Sequence, residues 1–466
     1  MSLTEQDIRA IIEDTLKNIK TEQKSMTHQW LCDTVRQAVE AAKAAQKELM
    51  TCSLAKRAQL IDAMRQASRD NARYLAELAY TETGYGKVAH KVLKNLLATD
   101  KTPGIEDLQA DAVSGDFGLT LMENAPFGVI GAITPSTNPT STVINNCISM
   151  IAAGNAVVFN PHPAAKKASV ETMRVLNEAI AAAGGPAALL CTVKEPTLDS
   201  GKAIMEHPDI PLLAITGGEA VVHVAMKTGK KVIAAGPGNP PVIVDDTAII
   251  DTAAKDIVDG ASFDNNVLCI AEKEVFAFEG IADDLMACME RHGAFRVQDD
   301  DIDKIVRTVF TNKDGKYAVN RNFVGRDAAH ILRESGVHFE ADPRLVIAEV
   351  TETHPFVVVE MLMPVLGIVR VGHDINEAIE KAIKAENGCR HTAMMHSQNV
   401  SHLSMAAKAL NTTIFVKNAP SYAGLGFNGE GFTTLTIATP TGEGLTSART
   451  FTRKRRCVLY GNFRIV

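Results

Sequence analysis

The feature that most constrains this chain is a repeated switch between two kinds of segment. From Phe127 onward, short apolar runs alternate with longer stretches of helical composition. Phe127–Thr134 leads into helical Asn138–Gly154, Ala156–Asn160 into Ala164–Ala183, Leu189–Val193 into Leu198–His207, and Leu212–Thr216 into Glu219–Thr228. Short continuous apolar runs suit strands covered on both faces, and strands separated by helices pair in parallel. A doubly wound sheet is therefore expected over residues 126–241. A second alternation follows Val242, with helices at Ile249–Ala261, Ile281–Glu290, Ile375–Glu386 and Val400–Leu410. Its strands are expected at Glu274–Ala277, Val357–Glu360, Gly367–Val371, Thr392–His396 and Thr413–Lys417. That predicts a second α/β domain over 242–438.

The flanks read differently. Residues 30–112 carry Ala-, Leu-, Lys- and Gln-rich runs such as Val35–Glu48 and Ala55–Thr81, which favour helices packed on the first domain. Thr120–Glu123 reads as a short strand. Near the other end, Arg453–Arg456 precedes a strand-like Cys457–Tyr460. With no alternation left to join, that tail is expected to pair with 113–125 or with a neighbouring subunit, so 113–125 and 439–466 form a small arm. At the start, Ile8, Ile11, Ile12, Leu16 and Ile19 make one apolar stripe opposite Glu5, Arg9, Glu13, Asp14 and Lys17. Residues 1–19 are thus an amphipathic helix and 20–29 a polar linker. The stripe packs on its own body or lies in a partner's groove.

Composition excludes several classes. With 46 % apolar and 22 % charged residues the chain is an ordinary globular protein, and 466 residues suggest roughly two to four structural units. A formal charge of −7 gives no sustained field for a phosphate backbone, so nucleic acid is not expected as a partner. Apolar stretches are broken by Pro, Asn and Gly, and residues 1–20 have no basic-then-apolar pattern. Neither a membrane span nor a secretory signal is expected. Eight scattered cysteines without a CxxC pair point to thiols in a reducing, cytoplasmic setting. His391, His396 and His402 lack metal-ligand spacing, so no metal is expected.

Five stretches carry the chemistry. Cys269 ends Gly260-Ala-Ser-Phe-Asp-Asn-Asn-Val-Leu-Cys269, a polar small-residue loop where a substrate can reach a thiol. Cys32, Cys147, Cys191 and Cys288 lie in apolar helices or strands and suit inert packing instead. Thr134-Pro135-Ser136-Thr137-Asn138-Pro139 follows a buried strand, where loops of parallel sheets open on the ligand crevice. The Asn138 amide there can donate to an oxyanion, or the stretch is a plain Asn-Pro turn. Thr216-Gly217-Gly218 leads into a helix and offers N–H groups for a pyrophosphate, or is an ordinary turn. Ala234-Ala235-Gly236-Pro237-Gly238 is a stiff loop that brings backbone close to a ligand or another strand. Glu360, at an expected strand end, can accept from a pair of sugar hydroxyls, or is a surface carboxylate before a turn. Beyond these, His391 is either a general base or a structural ring.

Taken in this order, with Pro161-His162-Pro163-Ala164-Ala165-Lys166-Lys167, His391–Ser397 and Thr439–Gly444, the motifs resemble the aldehyde dehydrogenase family from about residue 30 to the end. They are most similar to its coenzyme A-acylating branch, the acetaldehyde and propionaldehyde dehydrogenases of bacterial microcompartments. The resemblance implies a Rossmann-type NAD-binding domain (30–112 and 126–241), a catalytic thiol domain (242–438) and an oligomerisation arm. It places the nucleophile at Cys269 and the oxyanion amide at Asn138, with His391 as a possible assistant. Cofactor contacts fall on Thr134, Pro135, Ser136, Asn160, Pro161, His162, Thr216, Gly217, Gly218, Ala235, Gly236 and Glu360. Hydrolytic members carry a water-activating Glu in a Glu-Leu-Gly-Gly-Lys pattern, whereas the matching position here is Ala234. Their usual Lys-Pro-Ser-Glu is Asn160-Pro161-His162-Pro163, without the Lys. The implied reaction oxidises a short-chain aldehyde with NAD and coenzyme A through a cysteine thioester. Residues 2–19 would dock the enzyme in a microcompartment lumen, and a homo-oligomer, dimer or tetramer, is implied. A non-acylating enzyme making a carboxylic acid and a catalytically silent scaffold are the rival readings.

Overall fold

The computed structural model describes residues 30–313 and 315–466. The expected docking helix and linker at 1–29 lie outside the described residues. The chain opens with β1 (Leu31–Cys32) and helices α1 (Val35–Leu49), α2 (Leu54–Asp70), α3 (Ala72–Thr83) and α4 (Val88–Lys101). Thr34 and Ser53 cap α1 and α2 by accepting from the N–H of Gln37 and Lys56. Strands β2 (Asp111–Gly115) and β3 (Gly118–Pro126) then leave the body, and β4 (Val129–Thr134) returns to it.

From there the chain alternates: α5 (Pro139–Ala152), β5 (Ala156–Pro161), α6 (Lys166–Ala182), β6 (Leu190–Val193), α7 (Leu198–Glu206), β7 (Leu212–Thr216), α8 (Glu219–Met226) and β8 (Lys231–Ala235). The six strands form one parallel sheet in the order β1-β6-β5-β4-β7-β8. Every residue of β5 is buried, as a sheet covered on both faces requires. Helix α5 is also buried along its whole length, and begins with Pro139, whose fixed φ suits a first helical position. Asn138 is thereby set at the positive end of a buried helix dipole.

The second body continues with β9 (Pro241–Val244), α9 (Ile250–Ser262), β10 (Glu274–Phe278), α10 (Ala282–Arg291), β11 (Ala294–Val297), α11 (Asp300–Val309), the antiparallel pair β12 (Phe310–Lys313) and β13 (Lys316–Val319), α12 (Ala328–Glu334) and β14 (Leu345–Glu349). After these come α13 (Pro355–Val358), β15 (Val365–Val371), α14 (Ile375–Glu386), β16 (Thr392–His396), α15 (Val400–Leu410) and β17 (Ile414–Lys417). Its sheet runs β11-β14-β15-β10-β9-β16-β17, again parallel throughout. Separate apolar cores cover its faces, one with α9 and α10 and another with α14 and α15.

The short pair β18 (Ile437–Ala438) and β19 (Gly444–Leu445) precedes β20 (Thr452–Tyr460), which pairs antiparallel with β3 along its whole length. The arm is the sheet β2-β3-β20. Between β19 and β20 the chain touches the first body, where Ala448 and Phe451 are part of the core.

One expected strand is corrected. Val357–Glu360 does not join a sheet; Pro355–Val358 is a single helical turn, and Glu360 follows it in a loop. Pro355 has no N–H for a ladder and instead starts the turn, while the His354 ring accepts from the Phe356 N–H. Asn239 then donates to the Val357 carbonyl at 2.8 Å. Residues 294–349, which the sequence left unassigned, supply two strands of the main sheet and the β12–β13 pair.

Candidate active site

Between the two bodies lies a cleft of about 650 Å³, walled on one side by the C-terminal ends of β4, β5 and β7. Ligands bind open α/β sheets at that end. Thr134, Pro135, Ser136, Asn138, Asn160, Pro161, His162, Thr216, Gly217, Gly218, Ala235, Gly236, Cys269 and Glu360 all line it. Fourteen of the fifteen residues singled out from the sequence thus meet in one space.

The nucleophile candidate is presented by an unusual loop. Asp264, Asn265 and Asn266 are consecutive left-handed residues, with φ of 47°, 53° and 65°. Asx residues tolerate that region because their short side chains bond locally, and Asp-Asn-Asn is suited to it. The Asn266 amide donates to the carbonyls of Ala261 (2.8 Å) and Glu272 (3.0 Å), and Asn265 donates to Gly325 and Asp327. Lys273 props the same loop from beneath, donating to the carbonyls of Asn266 and Leu268 at 3.2 Å each and to the Asn266 side chain.

Cys269 is half-buried at the cleft floor. Burial, and then the Glu360 carboxylate, push its thiol up to about 12, while the Lys273 ammonium and the N–H groups of Cys269 and Ile270 act in the opposite direction. Burial and the Glu360 charge thus both favour the neutral thiol. Formation of the thiolate requires added positive charge or loss of the Glu360 charge. Glu360 itself is raised, chiefly by burial, and one of its oxygens accepts from the Gly238 N–H at 3.3 Å.

Asn138 is oriented by a residue the sequence reading passed over. The Lys94 Nζ donates to Asn138 Oδ1 at 2.5 Å, and both side chains are buried. An ammonium only donates, so the amide oxygen must face it and the Nδ2 donor is turned away. That nitrogen makes a 3.2 Å contact to the Thr137 hydroxyl.

On the opposite side of Leu268 lies a small apolar cavity of about 10 Å³, the room of a single water. Phe263, Tyr422 and Phe427 pack on one another around it, with ring centroids 5.2–5.9 Å apart.

The far end of the cleft suits a dinucleotide. Gly218 precedes α8, and a Cβ placed on it would meet nothing, leaving the first N–H groups of that helix open to a phosphate. Leu198, 88 % exposed, and Val221 flank this turn and offer apolar faces to a base. The Asn160 side chain is occupied in fixing the start of α7, donating to the Thr197 carbonyl and accepting from Ser200. It shapes the wall. The buried Thr134 hydroxyl has no partner among the described residues.

His391 is not among the residues lining the cleft. It is fully buried, its ring accepts or donates at Thr392, and burial lowers its pKa to about 4. It lies behind Gly238, where a Cβ would come within 2.9 Å of the His391 ring and 2.8 Å of the Cys269 carbonyl. A neutral ring in that place shapes the backbone under Cys269. Ala234 is buried, and its N–H donates to the Thr441 hydroxyl, so no carboxylate enters from that strand end.

The reading missed Lys94, Lys273, Arg321 and Leu362. The last two line the cleft from beyond β13, and Leu362 holds a left-handed φ of 53°. Lys94 had a signal. In α4 the buried positions include Lys91, Lys94, Asn95 and Ala98, so polar residues occupy the inward stripe at i, i+3, i+4 and i+7.

Comparison with known proteins gives a consistent result. A model of the aldehyde dehydrogenase family matches residues 17–431. An acetaldehyde dehydrogenase (acetylating) EutE of Salmonella typhimurium is 49 % identical, covering all of both chains. A propanal dehydrogenase (CoA-propanoylating) of Citrobacter freundii is 48 % identical over 98 % of each. Among solved structures, a propionaldehyde dehydrogenase from the Clostridium phytofermentans fucose utilisation bacterial microcompartment superposes with a TM-score of 0.91 at 50 % identity, covering 94 % of this chain and 100 % of the other. A Rhodopseudomonas palustris propionaldehyde dehydrogenase with bound CoA and an acylated cysteine gives 0.90 at 47 %, covering 93 % and 98 %.

Proposed function

The chain belongs to the aldehyde dehydrogenase family, and from that premise we propose that it oxidises a short-chain aldehyde to an acyl-coenzyme A with a nicotinamide dinucleotide, through a thioester on Cys269. The observation that carries the reading is the meeting of Cys269, the Asn138 amide and the Gly217-Gly218 helix start in one cleft without a carboxylate at position 234. Loss of the Cys269 proton to solvent, favoured by the positive charge that a bound nicotinamide would add, gives the thiolate whose sulfur adds to the aldehyde carbon, and the carbonyl oxygen becomes an oxyanion. The Asn138 Nδ2 and the Cys269 N–H stabilise it, and one such donor contributes roughly 2.7–4 kcal/mol. The dinucleotide, when bound, accepts the hydride that leaves as the tetrahedral carbon collapses to an acyl thioester. The open α8 start and the Leu198–Val221 walls support its binding, with Glu360 set to accept from ribose hydroxyls. No Lys or Arg stands at 160–163 after the β5 end, and on that ground we favour NAD over a 2′-phosphorylated relative, although the Arg321 guanidinium lines the cleft near His162 from beyond β13.

The acyl group is then taken by the coenzyme A thiol. Ala234 offers no base for water, which disfavours the carboxylic acid as product. We assign His391 to support of the Gly238 backbone and not to proton transfer. The relatives, an acetaldehyde and a propanal dehydrogenase, support aldehydes of two or three carbons, and the cavity beside Leu268 has room for no more than a methyl-sized group. Steady-state kcat/KM across an aldehyde chain-length series, with coenzyme A present, tests this. It is expected to peak at two or three carbons and fall at least tenfold by six; a profile rising to six carbons contradicts it.

Two wider proposals rest on the sequence and the relatives. The arm's exposed Val458, Leu459 and Tyr460 support pairing between copies of this chain. The stripe of residues 2–19, with relatives that come from a microcompartment, supports docking of the enzyme in a compartment lumen.

A further inference from the structure

We infer that Lys94 is a positioning residue for the reaction: its ammonium, clamped by Asp264, locks the Asn138 amide with its nitrogen turned to the site, where the N–H not taken by Thr137 can donate to the developing oxyanion. This rests on the oxyanion reading of Asn138. Asp264 is fully buried on the loop before the nucleophile, and it accepts from Lys91 at 3.1 Å, from Lys94, and from the Lys87 N–H at 2.7 Å. A single carboxylate thus meets two buried ammonium groups, and the cluster keeps one positive charge beside Asn138. Free rotation of an amide would present oxygen or nitrogen to the site about equally. A donor-only partner at 2.5 Å removes the wrong orientation before substrate arrives. The same clamp joins α4 to the nucleophile loop, so the amide and the sulfur are held by one cluster. The stem of Lys94 lines the apolar cavity, so the ammonium reaches Asn138 from the packed side and not from the cleft. Lys94 also feels the charge of Cys269 when that group ionises.

A double-mutant cycle tests the assignment. Lys94→Met keeps the apolar stem, and is expected to lower kcat about 100-fold, as loss of an oxyanion donor does, with dinucleotide affinity within twofold of the parent. On an Asn138→Ala background the same change is expected to cost less than threefold, because the amide it orients is gone. A purely structural lysine would cost the same factor on both backgrounds, and that result, or wild-type kcat in Lys94→Met, overturns the inference. Lys94→Met leaves Asp264 paired with Lys91 and the Lys87 N–H; if it nevertheless does not fold, Lys94→Gln, which keeps a hydrogen bond to Asp264 but is no longer a donor-only partner for Asn138, carries the same comparison. Wild-type activity in Asn138→Ala alone overturns the oxyanion reading itself. Loss of activity in Asn138→Ala with none in Lys94→Met overturns only the positioning role.

Discussion

Cys269 illustrates how far residue-level reading goes. Its loop made it the leading thiol among eight, and its half-exposed place on the cleft floor agrees with that choice. Its protonation could not be read the same way, because Glu360 and Lys273 reach it only through folding. With the thiol pushed up to about 12, the thiolate fraction is small at neutral pH and rises tenfold per pH unit. Alkylation of Cys269 by iodoacetamide in the dinucleotide-free enzyme is therefore expected to accelerate from pH 7 through pH 10 without a plateau. A plateau near pH 7–8 would place the thiol pKa in the ordinary range and contradict this electrostatic account. Lys94 and Lys273 were passed over for a related reason: a lysine in a helical or strand-like run is normally solvated, and although Lys94 shares the inward stripe of α4, only tertiary contacts give the two their buried partners. His391 was legible as a neighbour of the chemistry but not as a buried ring, since a lone histidine carries no sign of which side of a loop it occupies.

At the scale of elements, the long apolar strands were the most legible feature, because a continuous apolar run has little choice but a covered parallel sheet. Thr134 and Thr216 fell at strand ends that open on the cleft for that reason, whereas Ala234 and Ala235, read as part of a stiff loop, end strand β8. The segment before Glu360 misled, since Val357-Val358-Val359 has strand composition while Pro355 and the His354 ring fix a helical turn. The Asp264-Asn265-Asn266 loop depends on a distant glycine. Gly86 has a φ of +70°, and a Cβ there would lie 2.0 Å from Asp264 Oδ1. Gly86→Ala is expected to lower stability by about 2 kcal/mol, since both the backbone and the clamp resist the methyl. Denaturant unfolding checks it, alongside a larger loss of kcat than of dinucleotide binding. An unchanged midpoint with full activity would show that α4 and the loop are not tied in this way.

For the whole molecule, two parallel sheets open their strand ends on a shared cleft, and an antiparallel arm projects from the first body. Within residues 294–349, β11 escaped the reading because Arg296 breaks its apolar run and the β12–β13 pair because it is not apolar, while β14 is as apolar as β7 and was passed over. Docking through residues 2–19 belongs to this scale: deletion of those residues is expected to leave turnover unchanged and to abolish co-purification with compartment shells. Retained co-purification would exclude the stripe as the docking element. The account as a whole depends on an acyl group that waits on Cys269 for a second thiol. The most direct test is mass spectrometry of enzyme mixed with propionaldehyde and NAD in the absence of coenzyme A, followed by a chase with coenzyme A. The account predicts a propionyl adduct on Cys269 that persists until the chase and then appears stoichiometrically as propionyl-coenzyme A. Release of propionate at a comparable rate without coenzyme A, or an adduct absent from Cys269, would contradict it.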